Sequence, residues 1–515
     1  MKPDDHKIKT ALISVSDKTN IVDFAKKLRA LDVEIYSTGG TASLLEKEGV
    51  EVHKVSELTD FPEILGGRVK TLHPGVHAGL LARLDDEEHI EQMDENKLKS
   101  IDLLLVNLYP FEETLKKDST HEELIENIDI GGPAMLRAAA KNHLWTAPVT
   151  GPEDYEMIIE KMKENNGTID TKTRELLAFK VFRHTAYYDS VISNYLRKRT
   201  DKHATGNILI AAGKELDLRY GENPHQAAGL YGNFGDIFEK LHGKELSYNN
   251  ILDIDAAANL IVEFDKTACC IIKHTNPCGA ATSDDLADAF DKAFATDNVS
   301  PFGGIIVVNC TVDKEFAEKV HGIFTEVIIA PEFTQEALDI LMQKKARRLI
   351  LMDFEKFGKS RGHTIKSVAG AYLMQLADTK LYEEDKLKVV TKRQPTDEEM
   401  QAMLFGWRIV KHVKSNAVVY TAPDRTLAIG AGQMSRVDSS RIAVEKASMM
   451  QIDLKGSAVA SDAFFPFADG VLAAVKAGAR CVIQPGGSVR DEEVIKAADE
   501  NDVAMVMTGM RHFRH

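Results

Sequence analysis

Residues 8–41 read IKTALISVSDKTNIVDFAKKLRALDVEIYSTGGT, and they decide the fold of the N-terminal part of the chain. The apolar runs Ile8–Val15 and Val33–Ser37 are strand-sized, and Ile21–Leu31 between them has the apolar spacing of a helix. Strands that alternate with helices predict an α/β fold, with a parallel sheet covered by helices on both faces. Such sheets bind ligands at the carboxyl ends of their strands.

The same alternation continues to about residue 150. Leu103–Leu108 is a third, very apolar strand, and Pro133–Lys141 predicts a helix with its proline in the first turn. A helical pattern from Thr171 to Lys198 follows as an extension. The polar stretch 198–207 is the best linker in the chain, so we predict one domain over 1–199 and another over 200–515.

The second predicted domain is again α/β, in two halves of about 200–375 and 376–515. The charged, helix-prone stretch Leu376–Met400 is expected to join them. Each half contains Pro-Phe followed closely by glycine, in Ser300–Gly304 and in Phe465–Gly470. Because chance alone produces such short similarities, this pattern favours duplication and coincidence equally.

The composition excludes several protein classes. The 515 residues are 44% hydrophobic and 28% charged, which is typical of globular proteins and not of disordered, collagen-like or disulfide-framework chains. The formal charge of −15 argues against a broad nucleic-acid surface. No apolar run reaches the ~18 residues of a membrane span, and acidic residues near the N-terminus argue against a signal peptide. The five cysteines lack metal-ligand spacing, which indicates reduced thiols and a cytoplasmic location.

Two motifs match known signatures only in part. His121-Glu-Glu123 is half of a zinc deaminase signature, but Pro277-Cys278 is not followed by a second cysteine at the required spacing. Phe357-Gly-Lys-Ser360 resembles the end of a P-loop, but Asp353 stands where the first glycine belongs. We therefore predict no zinc site and no P-loop.

Polar segments cluster where the N-terminal strands end. They are Ser14–Thr19, Ser37–Thr41, Gly66–Pro74, Asn107–Phe111, Ile128–Pro133 and Ala140–His143. Glycines let a backbone approach a ligand, and hydroxyl groups with helix N-terminal amides bind anions. Helix capping explains the same Ser and Thr residues about equally well. The local explanations for Asp129 and Lys141 are a helix cap and a solvated helix residue.

Taken in order, these segments resemble the AICAR transformylase/IMP cyclohydrolase family of purine biosynthesis. The match continues downstream through Arg219–Gln226, Lys273–Pro277, Phe302–Ile305, Lys414–Asn416, Gly430–Arg436 and Ser461–Phe467, and so covers nearly the whole chain. The resemblance implies an N-terminal domain similar to methylglyoxal synthase. It also implies a C-terminal domain related to cytidine deaminase, duplicated and without zinc.

The resemblance implies the last two steps of IMP synthesis. The C-terminal domain would transfer a formyl group from 10-formyltetrahydrofolate to the 5-amino group of AICAR, an aminoimidazole carboxamide ribotide. The N-terminal domain would close the ring of the formylated product to give IMP and water. The implied partners are these small molecules and a second copy in a homodimer that shares the transformylase site, with no nucleic acid or membrane. No metal is required for the chemistry, although a monovalent cation is compatible with it.

For ring closure, the resemblance implies that Lys141 donates and accepts protons, with Tyr109 and Asp129 completing the relay. Lys70 and the amides near Ile130 and Gly131 would face the developing negative charge. The implied nucleotide and phosphate contacts are Ser16, Asp17, Lys18, Thr38, Gly39, Gly40, Thr41, Arg68, Thr71 and Asn107.

For formyl transfer, the resemblance implies that His274 is the base toward the amine and that Lys273 is the acid or charge stabiliser. Consecutive side chains on a regular strand point to opposite faces, so we expect this pair at a strand end or in a loop. Arg436 matches a folate-side arginine, and Glu326 falls near an acidic ribose-binding position. The other implied AICAR contacts are Arg219, Tyr220, Gly303, Gly304, Asn416, Phe464, Asp469, Gly486, Gly487 and Arg511.

Two other hypotheses fit parts of the pattern. A nucleotide-sensing regulatory protein would need the Ser, Thr, Gly and Arg positions but not Tyr109, Lys141 or the Lys273-His274 pair. The presence of all four favours an enzyme. A single-activity cyclohydrolase would need only the N-terminal set, and separate substitutions in the two sets distinguish it from the bifunctional enzyme.

Overall fold

The computed structural model describes residues 2–117, 119–200 and 206–515. The described residues fall into two compact units that divide between Ala212 and Gly213. The predicted linker, 198–207, includes residues 201–205, which lie outside the described residues. No helix in the described ranges is long and apolar enough to cross a membrane.

The N-terminal unit contains a five-stranded sheet in the order β3-β2-β1-β4-β5. Every neighbouring pair in it is parallel, so the predicted parallel sheet is confirmed. The order reverses at β1, and ligand crevices in open α/β sheets lie at such a switch point. The strands are β1 (Thr10–Ser14), β2 (Glu34–Ser37), β3 (His53–Lys54), β4 (Leu103–Val106) and β5 (Ala147–Val149).

Helices cover both faces of this sheet, in two separate cores. Leu12 and Leu104 pack in one core and Ile13 and Leu103 in the other, because successive strand side chains point to opposite faces. Each such fully buried side chain contributes about 1.5–3 kcal/mol. The helices are α1 (Ile21–Arg29), α2 (Gly39–Lys47), α3 (Val55–Thr59), α4 (Pro74–Leu81), α5 (Glu87–Glu95), α6 (Phe111–Lys116), α7 (His121–Glu126), α8 (Gly131–Lys141), α9 (Tyr155–Glu164) and α10 (Thr171–Arg199).

The C-terminal unit is built on a twelve-stranded mixed sheet, with two small hairpins beside it. The hairpins are β6 (Lys214–Leu218) with β7 (Ala228–Tyr231), and β14 (His363–Val368) with β15 (Ala371–Leu376). The large sheet contains β8 (Phe238–His242), β9 (Ala268–Lys273), β10 (Asn276–Thr282), β11 (Gly304–Val308), β12 (Thr325–Ala330), β13 (Arg348–Met352), β16 (Lys388–Val389), β17 (Val418–Ala422), β18 (Arg425–Gly430), β19 (Ala458–Ser461), β20 (Cys481–Gln484) and β21 (Ala504–Met507).

Helices cover both faces of the large sheet as well. On one face, α11 and α16 pack in a single core that spans the two halves. On the other face, α12 to α14 pack in one core and α17 to α19 in another. The helices are α11 (Tyr248–Ile261), α12 (Leu286–Thr296), α13 (Lys314–His321), α14 (Gln335–Leu341), α15 (Phe354–Ser360), α16 (Asp397–Val410), α17 (Arg436–Met449), α18 (Ala468–Ala477) and α19 (Asp491–Glu500).

The element order of the C-terminal unit repeats. β8-α11-β9-β10-α12-β11-α13-β12-α14-β13 and β16-α16-β17-β18-α17-β19-α18-β20-α19-β21 have the same sequence of strands and helices. The two copies join where β10 pairs antiparallel with β18, at Ala281 and Arg425. The unit is therefore a duplication in its topology. The two Pro-Phe segments do not occupy equivalent positions in the two copies. One precedes β11, and the other follows β19, which is the strand that corresponds to β11.

The charged, helix-prone stretch Leu376–Met400 is mostly not helical. Within it, Lys388–Val389 pairs with β21 as an edge strand. Helix α16 begins only at Asp397, where the Thr396 hydroxyl accepts the N–H of Glu399 and the Glu399 side chain caps the Thr396 N–H in return. This capping box defines the start of the helix more strongly than the charged residues before it.

Candidate functional site

A cavity of about 760 Å³ lies at the carboxyl edge of the five-stranded sheet. The polar segments that follow β1, β2 and β4 meet there, as predicted. The sequence-predicted residues that line it are Ser16, Lys18, Thr38, Gly40, Thr41, Arg68, Lys70, Thr71, Asn107, Tyr109, Asp129, Ile130 and Gly131. Asp17 and Gly39 are immediate chain neighbours of lining residues.

One end of the cavity has the features of an anion site. The Lys18 ammonium donates to the Thr41 hydroxyl at 2.8 Å, and the hydroxyls of Ser14 and Thr38 are 2.7 Å apart. Helix α2 begins beside them, so its free N–H groups add positive potential. Burial lowers the pKa of Lys18, and Lys70 lowers it further, with Asp17 opposing. A bound phosphate would relieve this crowding of positive charge.

Asn107 holds the loop after β1. Its Oδ1 accepts the N–H of Asp17 at 3.0 Å, and its Nδ2 donates to the Asp17 carbonyl at 3.0 Å. The same Oδ1 accepts the Ser16 N–H. Asn107 thus fixes the backbone of Ser16 and Asp17, in addition to the nucleotide contact that the resemblance implies.

The other end of the cavity is formed by the start of α8. The Asp129 carboxylate accepts the Gly132 N–H at 2.8 Å, so Asp129 caps the helix and also lines the cavity. Burial raises the pKa of Asp129, while the N–H groups of Gly132 and Tyr109 and the charge of Lys70 oppose the rise. A carboxyl group held in this balance suits proton transfer.

The first two residues of α8 must be glycines, because neighbouring atoms leave no space for a Cβ. A Cβ at Gly132 would lie 2.5 Å from Asp129 Oδ2, and one at Gly131 would lie 2.8 Å from the Thr71 hydroxyl. Tyr188 of α10, which sequence reasoning missed, supports the same segment. Its hydroxyl accepts the Asp129 N–H at 2.8 Å and donates to the Asn127 carbonyl at 3.1 Å. No local pattern links residues so far apart in the chain.

The structure does not bring Lys141 into this cavity. Lys141 is the last residue of α8, and Gly131, which lines the cavity, is the first. A rise of 1.5 Å per residue separates their backbones by about 15 Å along the helix axis. Lys141 is exposed and does not line the cavity. Lys70, Tyr109 and Asp129 do share it.

The predicted Lys273-His274 pair lies where β9 ends, as expected from its need to serve one site. Lys273 is the last residue of the strand, and His274 and Thr275 form the turn into β10 with φ of 51° and 62°. The Lys273 ammonium donates to the Phe302 carbonyl at 2.8 Å. His274 is exposed, so its ring is accessible to a substrate.

Most of the other predicted transformylase residues lie along the same edge of the large sheet. This edge carries the carboxyl ends of β9 and β18 to β21 and the amino ends of β10 to β13 and β17. On it or in the adjoining loops are Gly303, Gly304, Glu326, Asn416, Arg436, Phe464, Gly486, Gly487 and Arg511, with Asp469 in the first turn of α18. Arg219 and Tyr220 follow β6, outside the large sheet.

Arg436 is held by a carboxylate that sequence reasoning missed. Its guanidinium lies 3.3 Å from Asp462 Oδ1, and its Nε donates to the Ser461 hydroxyl at 3.3 Å. Asp462 is fully buried directly after β19. Burial lowers the pKa of Arg436 and Asp462 opposes this.

Glu326 opens onto a second cavity, of about 500 Å³. Its carboxylate accepts from Asn250 at 2.9 Å and lies 3.4 Å from the Arg348 guanidinium. The remaining lining is strongly basic, with Lys244, Lys344, Lys345 and Arg347. The charged run 344–348 was visible in the sequence, and only the fold shows that it faces Glu326.

Residues 139–446 match the family model described as AICARFT/IMPCHase bienzyme, and residues 20–134 match the MGS-like domain. The chain is 54% identical over 520 residues to the "Bifunctional purine biosynthesis protein PurH" of Chlorobaculum parvum, and 53% identical over 522 residues to that of Pelodictyon phaeoclathratiforme. Each alignment covers 99% of this chain and 99% of the relative.

A solved structure titled "Crystal structure of ForH" is 35% identical to this chain. It covers 36% of this chain and 97% of its own, with a TM-score of 0.33. A similarity at that score carries no argument about this fold.

Proposed function

The chain belongs to the AICARFT/IMPCHase family, and it is a bifunctional AICAR formyltransferase and IMP cyclohydrolase of purine biosynthesis. On that premise we propose which residues perform each reaction. Ring closure takes place in the N-terminal cavity, and formyl transfer takes place at the edge of the large sheet that carries His274.

In ring closure, the carboxamide nitrogen attacks the formyl carbon of the same molecule. Positioning the substrate supplies much of the acceleration, because the nitrogen is a weak nucleophile. The phosphate binds at Lys18, Thr41 and the start of α2, which directs the base toward the start of α8.

The groups at the α8 end of the cavity then stabilise the developing charge and transfer protons. Asp129 accepts the proton that the carboxamide nitrogen loses as the new C–N bond forms. Lys70 and the N–H groups of Ile130 and Gly131 stabilise the developing oxyanion on the former formyl oxygen. Tyr109 donates a proton to that oxygen, which becomes a hydroxyl group. Asp129 then returns its proton to the hydroxyl group, which leaves as water, while the former formamide nitrogen gives its proton to the Tyr109 phenolate as the C=N bond forms. The observation that carries this assignment is the convergence of Lys70, Tyr109, Asp129 and the α8 N-terminus in one cavity.

In formyl transfer, His274 takes the proton of the 5-amino group as the tetrahedral carbon forms. Lys273 stabilises the charge or protonates the departing nitrogen of the donor. The formyltransferase activity implies a folate-type donor, and we propose 10-formyltetrahydrofolate with Arg436 on its side of the site. The basic cavity supports binding of the AICAR phosphate by Lys344 and Lys345, with Glu326 at the ribose.

The strand order supports a homodimer with a shared formyltransferase site. Glu326 is on β12 and Gly486 follows β20, seven strand intervals apart. At about 4.8 Å per interval this is about 34 Å along the sheet, far longer than one nucleotide. One chain therefore does not bring both to the same AICAR. We propose that the first half of one copy and the second half of another enclose each substrate.

Three expectations from the sequence stay predictions. These are the proton-transfer role of Lys141, the monovalent cation and the cytoplasmic location. All five cysteines are free thiols in the structure. In the described part of the chain, no group of three or more His, Cys, Asp or Glu side chains is arranged to hold a metal ion.

The test replaces each site separately. We expect His274→Ala to abolish formylation of AICAR and to leave ring closure of synthetic formylated AICAR within twofold of wild type. Lys70→Ala should do the opposite, by about 100-fold or more, because it removes a charge that faces the oxyanion. Lys141→Ala, assayed beside Lys70→Ala, shows which amine the ring closure needs. A single substitution that stops both reactions would refute the two-site assignment.

A further inference from the structure

Asp253 contacts the turn that contains His274. It is on α11, and its Oδ1 accepts the Thr275 N–H at 2.6 Å. No motif includes Asp253, which is separated from the turn in sequence by the rest of α11 and by strand β9. The hydrogen bond places a carboxylate beneath the proposed base of formyl transfer.

The turn needs such a support. His274 and Thr275 are consecutive residues in the left-handed region, with φ of 51° and 62°. Residues with a Cβ are strained there, and a β-branched residue such as Thr275 more than most. Strained backbone persists at functional sites when surrounding contacts hold it in place. The Asp253 carboxylate makes such a contact, at the Thr275 amide.

The charge of Asp253 also matches the site. Burial raises the pKa of this half-buried carboxyl, while the Thr275 N–H and the charges of His274 and Lys273 oppose the rise. Because Asp253 accepts the N–H of Thr275, its carboxylate lies beside the residue that directly follows His274. When His274 takes the amine proton, its ring becomes cationic, and a nearby negative charge stabilises that form.

We propose that Asp253 is a positioning residue for formyl transfer. It holds the His274-Thr275 turn in its left-handed conformation and balances the charge that His274 gains. This inference rests on the proposed role of His274 as the base.

The test compares Asp253→Asn and Asp253→Ala in the full-length enzyme. Asparagine keeps an oxygen that accepts the Thr275 N–H and loses the charge, so kcat for formyl transfer should fall about 10-fold. Alanine loses both, and kcat should fall about 100-fold. The KM for AICAR should change less than threefold in both variants, because Asp253 acts through His274 and not through substrate binding. Ring closure by the same preparation should stay within twofold.

Two further variants make the outcome decisive. Asp265→Asn removes an exposed carboxylate before the same strand and should leave both activities unchanged. The double variant Asp253→Ala with His274→Ala should still close the ring within twofold of wild type, so that loss of formyl transfer in these variants is not a loss of folding. If His274→Ala is inactive while both Asp253 variants are fully active, this inference fails and the proposed function stands. If His274→Ala keeps formyl transfer, the proposed function itself fails. Equal losses of both activities in Asp253→Asn would show a role in folding and would overturn the inference.

Discussion

Gly132→Ala should slow ring closure, because the Cβ atom that it adds collides with the Asp129 carboxylate. Gly132 is the second residue of α8, and its N–H donates to Asp129 Oδ1 at 2.8 Å. An added Cβ would lie 2.5 Å from Asp129 Oδ2 and 2.8 Å from Leu108 Cδ2. Both separations are too short, and Leu108 is buried, so the Asp129 carboxylate must move away from the helix.

The magnitude follows from the contact that is lost. A hydrogen bond to a charged group is worth about 1.5–3 kcal/mol, which corresponds to about a 10- to 150-fold loss in kcat/KM for ring closure. Because the Gly132 N–H lowers the pKa of Asp129 against the effect of burial, its loss raises that pKa further. Asp129 acts in its ionised form, so the acidic limb of the pH profile should move to higher pH.

The assay is ring closure of formylated AICAR by the purified variant as a function of pH, with formyl transfer measured in the same sample. Formyl transfer should not change. Gly358→Ala is the control, because a Cβ at Gly358 has no neighbour within 4 Å and the residue lies within helix α15. Wild-type ring closure with an unshifted pH profile in Gly132→Ala would show that the Asp129 geometry does not matter to the reaction.

Two other predictions concern the C-terminal unit. Mixing inactive His274→Ala with inactive Arg511→Ala should restore about a quarter of wild-type formyl transfer. Random subunit exchange makes half of the dimers mixed, and each mixed dimer has one intact shared site out of two. No recovery after verified subunit exchange would contradict the shared site. Glu263→Gln should destabilise the unit by about 3–5 kcal/mol in urea denaturation, because it leaves the buried Lys411 ammonium, 2.8 Å away, without its carboxylate. Burial raises the pKa of Glu263, but the hydrogen bond with His412 and the charges of His412 and Lys411 lower it to about 2. Wild type should therefore lose this stabilisation as the pH falls from 4.5 toward 2, and the variant should not.

Much of the N-terminal site was predictable from local patterns. Leu103–Leu108 and the glycine-rich segment after Tyr36 predicted where strands end, and parallel strands deliver their carboxyl ends to one edge. The predicted strand at 103–108 is shorter in the structure, Leu103–Val106, because the chain turns away toward Tyr109 and the cavity. The Lys273-His274 pair was likewise predicted at a strand end, from the alternation of strand side chains alone.

The sequence by itself determined the two α/β units, the parallel N-terminal sheet and the residue types available for each reaction, because these depend on hydrophobic period and on short motifs. Only the tertiary structure decided that Lys141 lies at the far end of α8, that Tyr188 and Asp253 support the two sites, and that β10 pairs with β18. These facts depend on contacts between residues distant in the chain, where packing of whole helices and strands sets the distance and no local pattern records it.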